Sequence, residues 1–135
     1  MSILYKILLS AALITAGSCD SLRAEFSDWS DSNKTLYKTY LSLQVMDTMQ
    51  TMDMIHCQQI DPNCRLKEAN PFLNPEPTTA DLLIMKGLLN YGAYRILDNR
   101  LNDKQRKIAI TLMVLTSIAT VHGNHENGLS FKIRF

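Results

Sequence analysis

Residues 34–56 read KTLYKTYLSLQVMDTMQTMDMIH. Leu36, Tyr37, Tyr40, Leu41, Leu43, Met46, Met49, Met52 and Ile55 recur there at spacings compatible with an α-helix. No glycine or proline breaks the run, so it predicts one long helix and, with it, a mainly α fold. Four of the seven methionines fall in this stretch. The unbranched thioether fills irregular gaps, so such a stripe serves either as packed core, the expectation here, or as an adaptable contact surface. The same helix carries a polar strip. Asp47 and Thr51 are four residues apart, with Gln44, Thr48 and Gln50 beside them, and such groups need partners wherever they are buried.

Downstream, all four prolines lie between residues 57 and 78. Proline has no amide donor and restricts the residue before it, so this segment is an irregular connector, ordered by the apolar pair Phe72 and Leu73. Thr78 with Asp81 has the spacing of a capping box and starts a second helix that runs to about Leu97. Asp98 to Asn102 reads as the reversal. Asp103 reads as the cap of a third helix that reaches His122 and stops at a left-handed Gly123. Helices two and three are then antiparallel neighbours. Before the first helix, the polar stretch Glu25 to Asn33, with Trp29 isolated in it, reads as a tether or lead-in. After the third, Leu129 to Phe135 alternates apolar and polar residues, which predicts a short strand. That tail also resembles the terminal signal of outer-membrane barrels, yet a chain otherwise helical does not supply eight strands.

The expected architecture is therefore a small three-helix bundle with a proline-rich ordered loop and a short C-terminal strand, in one domain over residues 25–135. Ile108 to Val121 is uncharged, but at about 1.5 Å per residue it covers only about 21 Å, short of a hydrocarbon core of about 30 Å. Lys86, Asn90 and Arg95 on the second helix are costly in lipid. These features favour a water-soluble bundle, with an integral-membrane helical hairpin over residues 82–121 as the alternative.

The first 18 residues read as an export signal: Lys6, then the uncharged run Ile7 to Ala16, too short to span a bilayer. Ala16-Gly17-Ser18-Cys19 resembles a bacterial lipobox, although such motifs usually carry Leu where Ala16 stands. The resemblance implies lipidation at Cys19, and two acyl chains are enough for stable anchoring. Asp20 then resembles an inner-membrane retention signal. Cleavage by ordinary signal peptidase, including after Ala24, is the alternative. Either route places the protein in the cell envelope, in the periplasm or on the periplasmic side of a membrane. With Cys19 lipidated or removed, Cys57 and Cys64 remain as an even pair, and an oxidising compartment favours a disulfide across the turn-rich Asp61-Pro62-Asn63. A zinc site from His56, Cys57 and Cys64 is the competing reading; it lacks a close cysteine pair and a fourth ligand.

The chain has 135 residues, 46% of them hydrophobic and 20% charged, with Lys plus Arg 14 against Asp plus Glu 13. That is one domain's worth of core, and a formal charge of +1 provides no basic excess for a nucleic-acid backbone. Asp47-x-x-Gln50-Thr51, then Glu68-x-Asn70-Pro71, resembles a group of uncharacterised small bacterial and phage envelope proteins that pair a D-x-x-Q-T helix with an E-x-N-P loop. The resemblance covers roughly Leu43 to Phe135 and implies a polar constellation without an activity. Its bland interpretation is an internal network of Asp47, Gln50, Thr51, Glu68, Asn70 and Lys86 that locks loop to bundle. The catalytic interpretation makes Asp47 and Glu68 an acid–base pair in a small envelope hydrolase, with His56 as base or Lys86 as electrostatic stabiliser. No nucleophile elbow, phosphate loop or metalloprotease motif is present. His122 and His125 read as a helix-end cap and a surface residue. No cofactor is expected. The expected role is structural or interactive, through the membrane, by Cys19 or the helices, or through a protein partner contacting the proline loop and the Met-bearing helix.

Overall fold

A computed structural model describes residues 26–61, 63–64 and 78–129. The export segment with Cys19, the connector residues 65–77 with Glu68 and Asn70, and the tail 130–135 expected as a strand lie outside the described residues. A 3-10 turn, Phe26–Asp28, leads into three helices: α1 (Asp31–Ile60), α2 (Thr79–Arg100) and α3 (Asp103–Glu126). Among the described residues there is no strand, and the mainly α three-helix architecture expected from the sequence is the one that forms.

The boundaries follow from capping chemistry. Ser30 accepts a bond from the Asn33 amide at 3.4 Å, so α1 starts three residues before the periodic run. It also continues through Cys57 to Ile60, which shortens the connector at its front. Nothing in that last turn breaks a helix until Asp61, which precedes Pro62 and is extended. The capping box at Thr78 is present. The Asp81 amide donates to the Thr78 hydroxyl at 3.2 Å, and the Asp81 carboxylate takes the Thr78 amide at 3.0 Å and hydroxyl at 2.7 Å. These Thr78 bonds hold the Asp81 carboxyl below its ordinary range, so the cap persists until pH falls through that lowered value.

Three expectations are corrected at the other ends. Helix α2 runs beyond Leu97 to Arg100, leaving Leu101 and Asn102 as the whole turn. The cap of α3 is Asn102, not Asp103: its side chain accepts from the Gln105 amide at 3.0 Å while the Gln105 side chain takes the Asn102 amide at 3.2 Å. Helix α3 does not stop at Gly123. It passes through to Glu126, and the left-handed glycine is Gly128, at φ +89°. The Gly128 amide donates to the His125 carbonyl and the Leu129 amide to the Asn124 carbonyl. This reversal closes the helix and returns Leu129 to the core.

Contacts between helices give the topology. Asn33 reaches Asp103, Gln44 reaches Ser117 and Gln50 reaches the Val121 carbonyl. Both numbers rise together, so α1 and α3 are parallel. Trp29 meets Asp98, Tyr40 meets Asn90 and Asp47 meets Lys86. Here one number rises as the other falls, so α2 is antiparallel to α1. The up-down-up course makes α2 and α3 antiparallel as expected, but the closest packing of α3 is against α1. Two apolar clusters result. One joins Trp29, Tyr37, Tyr40, Leu97, Ile110 and Val114; the other joins Met54, Ile55, Leu82 and Leu129.

Trp29 is no tether residue. It is 2% exposed and sits at the centre of the first cluster. Its indole N–H donates to Asp98 at 2.9 Å, its ring lies 5.4 Å from Tyr37 and 5.9 Å from Tyr94, and the Arg106 guanidinium stands 4.6 Å over it. Arg106 in turn donates to the Leu97 and Leu101 carbonyls, both at 2.9 Å. Those are carbonyls at the C-terminal end of α2, where a cation also suits the helix dipole. One tryptophan and one arginine thereby join the lead-in to α1, the end of α2 and the start of α3. Trp29→Ala is expected to lower unfolding free energy by about 3–5 kcal/mol, the range for deleting a buried aromatic, read by chemical denaturation.

Candidate functional site

Between the two apolar clusters the interior of the bundle is polar. Asp47, Gln50 and Thr51 on α1 and Ser117 on α3 are buried, Gln50 completely. The Lys86 ammonium, on α2, donates to Asp47 Oδ2. Asp47 Oδ1 accepts from the Asn124 side-chain amide at 2.9 Å, and that amide also donates to Gln50 Oε1 at 3.2 Å. Gln50 Nε2 then donates to the Val121 carbonyl at 3.0 Å. On the α2 side, the Tyr40 hydroxyl donates to Asn90 Oδ1 at 2.7 Å, and Asn90 Nδ2 donates to the Lys86 carbonyl at 2.9 Å. Gln44 Nε2 donates to the Ser117 hydroxyl at 3.0 Å. Every helix contributes to the layer, and one ion pair lies at its centre.

Charge alone does not make this layer stabilising. Desolvating a carboxylate and an ammonium costs several kcal/mol each, and their attraction offsets this only where the remaining lone pairs are also bonded. Asn124 meets that condition for Asp47. The D-x-x-Q-T spelling thus acquires a physical reason: Asp47 and Gln50 project toward α2 and α3, while the Thr51 hydroxyl donates to the Asp47 carbonyl at 3.0 Å.

Of the residues singled out from sequence, Asp47, Gln50 and Lys86 are brought together, and Thr51 adjoins them through the backbone. Glu68 and Asn70 lie outside the described residues. His56 is not brought to Asp47. The two are nine residues apart on one continuous helix, which puts them about 13.5 Å apart along the axis and on opposite faces. Cys57 and Cys64 are disulfide-bonded, with Cα atoms 5.9 Å apart, which uses both sulfurs that the zinc alternative required. The turn expected there forms: the Asn63 amide donates to the Asp61 side chain and the Cys64 amide to the Asp61 carbonyl, both at 2.9 Å. His122 and Glu126 make an exposed pair at 3.3 Å. Asn124 and Asn90 were missed as members of the layer. Asn124 becomes legible only when α3 continues past Gly123, because that extra turn puts it on the face toward α1.

The exterior reverses the usual arrangement. Along α2, Leu83, Ile84, Leu88, Leu89 and Tyr91 are exposed; along α3, Ile108, Leu112, Leu115 and Ile118; along α1, Leu41, Val45 and Met46. The methionine stripe is not uniformly core either: Met54 is buried, whereas Met46 is exposed. No exposed charge occurs on α1 between Lys38 and Asp53, on α2 between Asp81 and Arg95, or on α3 between Lys107 and His122. The contacts across the helices place these three intervals at one level, so they form a belt about 20 Å tall. Within it Asp47 and Lys86 face each other in the interior.

The chain matches no known protein family, curated protein or solved structure.

Lys86→Met leaves the Asp47 carboxylate buried beside Asn124 alone and is expected to cost about 3–5 kcal/mol. Adding Asp47→Asn should restore most of that loss. A double-mutant cycle by denaturation measures the coupling, which is expected to exceed about 1 kcal/mol.

Proposed function

We propose that this protein is a small integral-membrane helical protein of the cell envelope, with a structural or interaction role exercised within the bilayer. The observation that carries the proposal is the apolar belt on all three helices at one height, around an interior that holds the Asp47–Lys86 ion pair. Water-soluble bundles put apolar side chains inside and tolerate scattered ones outside. A bilayer favours apolar residues against lipid and turns polar ones toward neighbouring helices.

Besides the short apolar run of α3, the sequence objection to membrane residence is the polar set Lys86, Asn90 and Arg95. Lys86 and Asn90 both turn inward, to Asp47 and Tyr40. Arg95 lies at the edge of the belt, where a long side chain snorkels to the interface. Among the described residues, α3 is long and apolar enough to cross a bilayer by length and composition, and only 22% of its apolar window is buried. The core helix of a soluble protein would be mostly covered. Interhelical bonds between Gln44 and Ser117, and among Asn124, Asp47 and Gln50, are the kind that hold helices together where no hydrophobic force acts between them. The belt is shorter than a hydrocarbon core of about 30 Å, a mismatch met by local thinning and by snorkelling of Lys38, Arg95 and Lys107. Attachment through the helices makes a lipid on Cys19 unnecessary as an anchor. The hydrolase alternative, centred on Asp47, His56 and Glu68, draws no support from the separation of Asp47 and His56.

Leu88 is 64% exposed and Leu115 is 57% exposed. In water, Leu88→Lys and Leu115→Lys at such positions would change stability by less than about 0.5 kcal/mol. Against lipid each is expected to cost about 2.5–3.5 kcal/mol. The expected outcome is a marked loss of carbonate-resistant protein in the membrane fraction for both variants. Wild-type accumulation of both variants as soluble protein would overturn the proposal.

A further inference from the structure

We infer that the bundle has one orientation in the membrane: its basic end rests on the anionic, cytoplasmic leaflet, and its disulfide end faces the oxidising compartment. This rests on the bilayer reading above. Two independent features point the same way.

The first is charge. Among the described residues, every Lys and Arg except Lys86 lies at the end where α1 and α3 begin and α2 finishes. Lys38, Arg95, Arg100, Lys104 and Lys107 are exposed there, with Lys34 half-buried beside Asp31. Of the acidic groups at that end, Asp98 is engaged by the Trp29 indole, Asp103 by Asn33 and Arg106, Asp31 by Lys34, and Asp28 by the Ser27 hydroxyl. The opposite end carries Asp53, Asp61, Asp81 and Glu126, and no described Lys or Arg. The sequence also has Arg65 and Lys67 in the connector, and Lys132 and Arg134 in the tail. Short basic segments flanking membrane helices stay on the cytoplasmic side, and Lys and Arg near the surface are attracted by anionic headgroups.

The second is redox chemistry. Cys57 and Cys64 are joined at the acidic end. Cytosolic thiol buffers keep such pairs reduced, whereas the periplasm or cell exterior permits the bond. The disulfide therefore puts that end outside without any appeal to charge.

Right-side-out and inverted vesicles are prepared from bacteria expressing the full chain and washed with alkaline carbonate. They are then treated with a membrane-impermeant phosphine followed by an impermeant maleimide, and, in parallel, with an impermeant amine reagent. Peptide mass spectrometry locates the labels. Expected are maleimide on Cys57 and Cys64 at least tenfold higher in right-side-out vesicles, and amine label on Lys104 and Lys107 at least tenfold higher in inverted ones. The reverse pattern, or equal label from both preparations, overturns the orientation. Release of the protein by carbonate instead overturns the bilayer reading itself, so the two failures are distinguishable.

Discussion

The pairing of Asp47 with Lys86 is the constraint on which the rest of the arrangement depends. Each is an ionised group in the middle of a helix whose neighbours at that height are apolar or uncharged. Neither is tolerable there alone, so α1 and α2 must meet with these two positions facing. That single requirement fixes the rotation of both helices about their axes. It turns Leu83, Ile84, Leu88 and Tyr91 outward on α2 and leaves Val45 and Met46 outward on α1. Asn124 completes the lone pairs of the carboxylate and so fixes the height of α3 as well.

At the basic end a second set of contacts prevents the helices from sliding along one another. Arg106 satisfies terminal carbonyls of α2 and covers the face of Trp29, whose N–H is satisfied by Asp98. Asn33, fully buried, donates to both the carbonyl and the carboxylate of Asp103, which links the starts of the parallel helices α1 and α3. At the far end the reversal at Gly128 brings Leu129 onto Met54, Ile55 and Leu82. The polar layer is thus enclosed between two apolar plugs.

Much of this was legible in the chain, and the misses have definite causes. The long first helix, the connector, the capping box at Thr78 and the cysteine pair all rest on local chemistry: spacing, missing amide donors, a three-residue hydrogen-bond reach and a short loop. Asp47, Gln50 and Lys86 stood out because polar groups in an apolar helical run must find partners. Trp29 gave no such signal. It lies in a polar stretch without period, and its environment is assembled from Tyr37, Tyr94 and Arg106, which come from all three helices. In the sequence Gly123 reads as a stop because glycine ends many helices. The contacts of Asn124 and the better fit of Gly128 to a left-handed turn carry the helix one turn further.

By itself, then, the sequence determined that the chain forms helices, where proline forbids them, and which few polar groups would need company, since all of these depend on residues within a turn or two of one another. Only the tertiary structure decided which sides of those helices face inward. Their apolar residues are spread around the helix with little one-sidedness, so periodicity alone could not choose. The choice falls to contacts between residues 39 to 77 positions apart, and these put Asp47 and Lys86 in the interior and leave Leu83, Ile84, Leu88 and Leu115 on the outside.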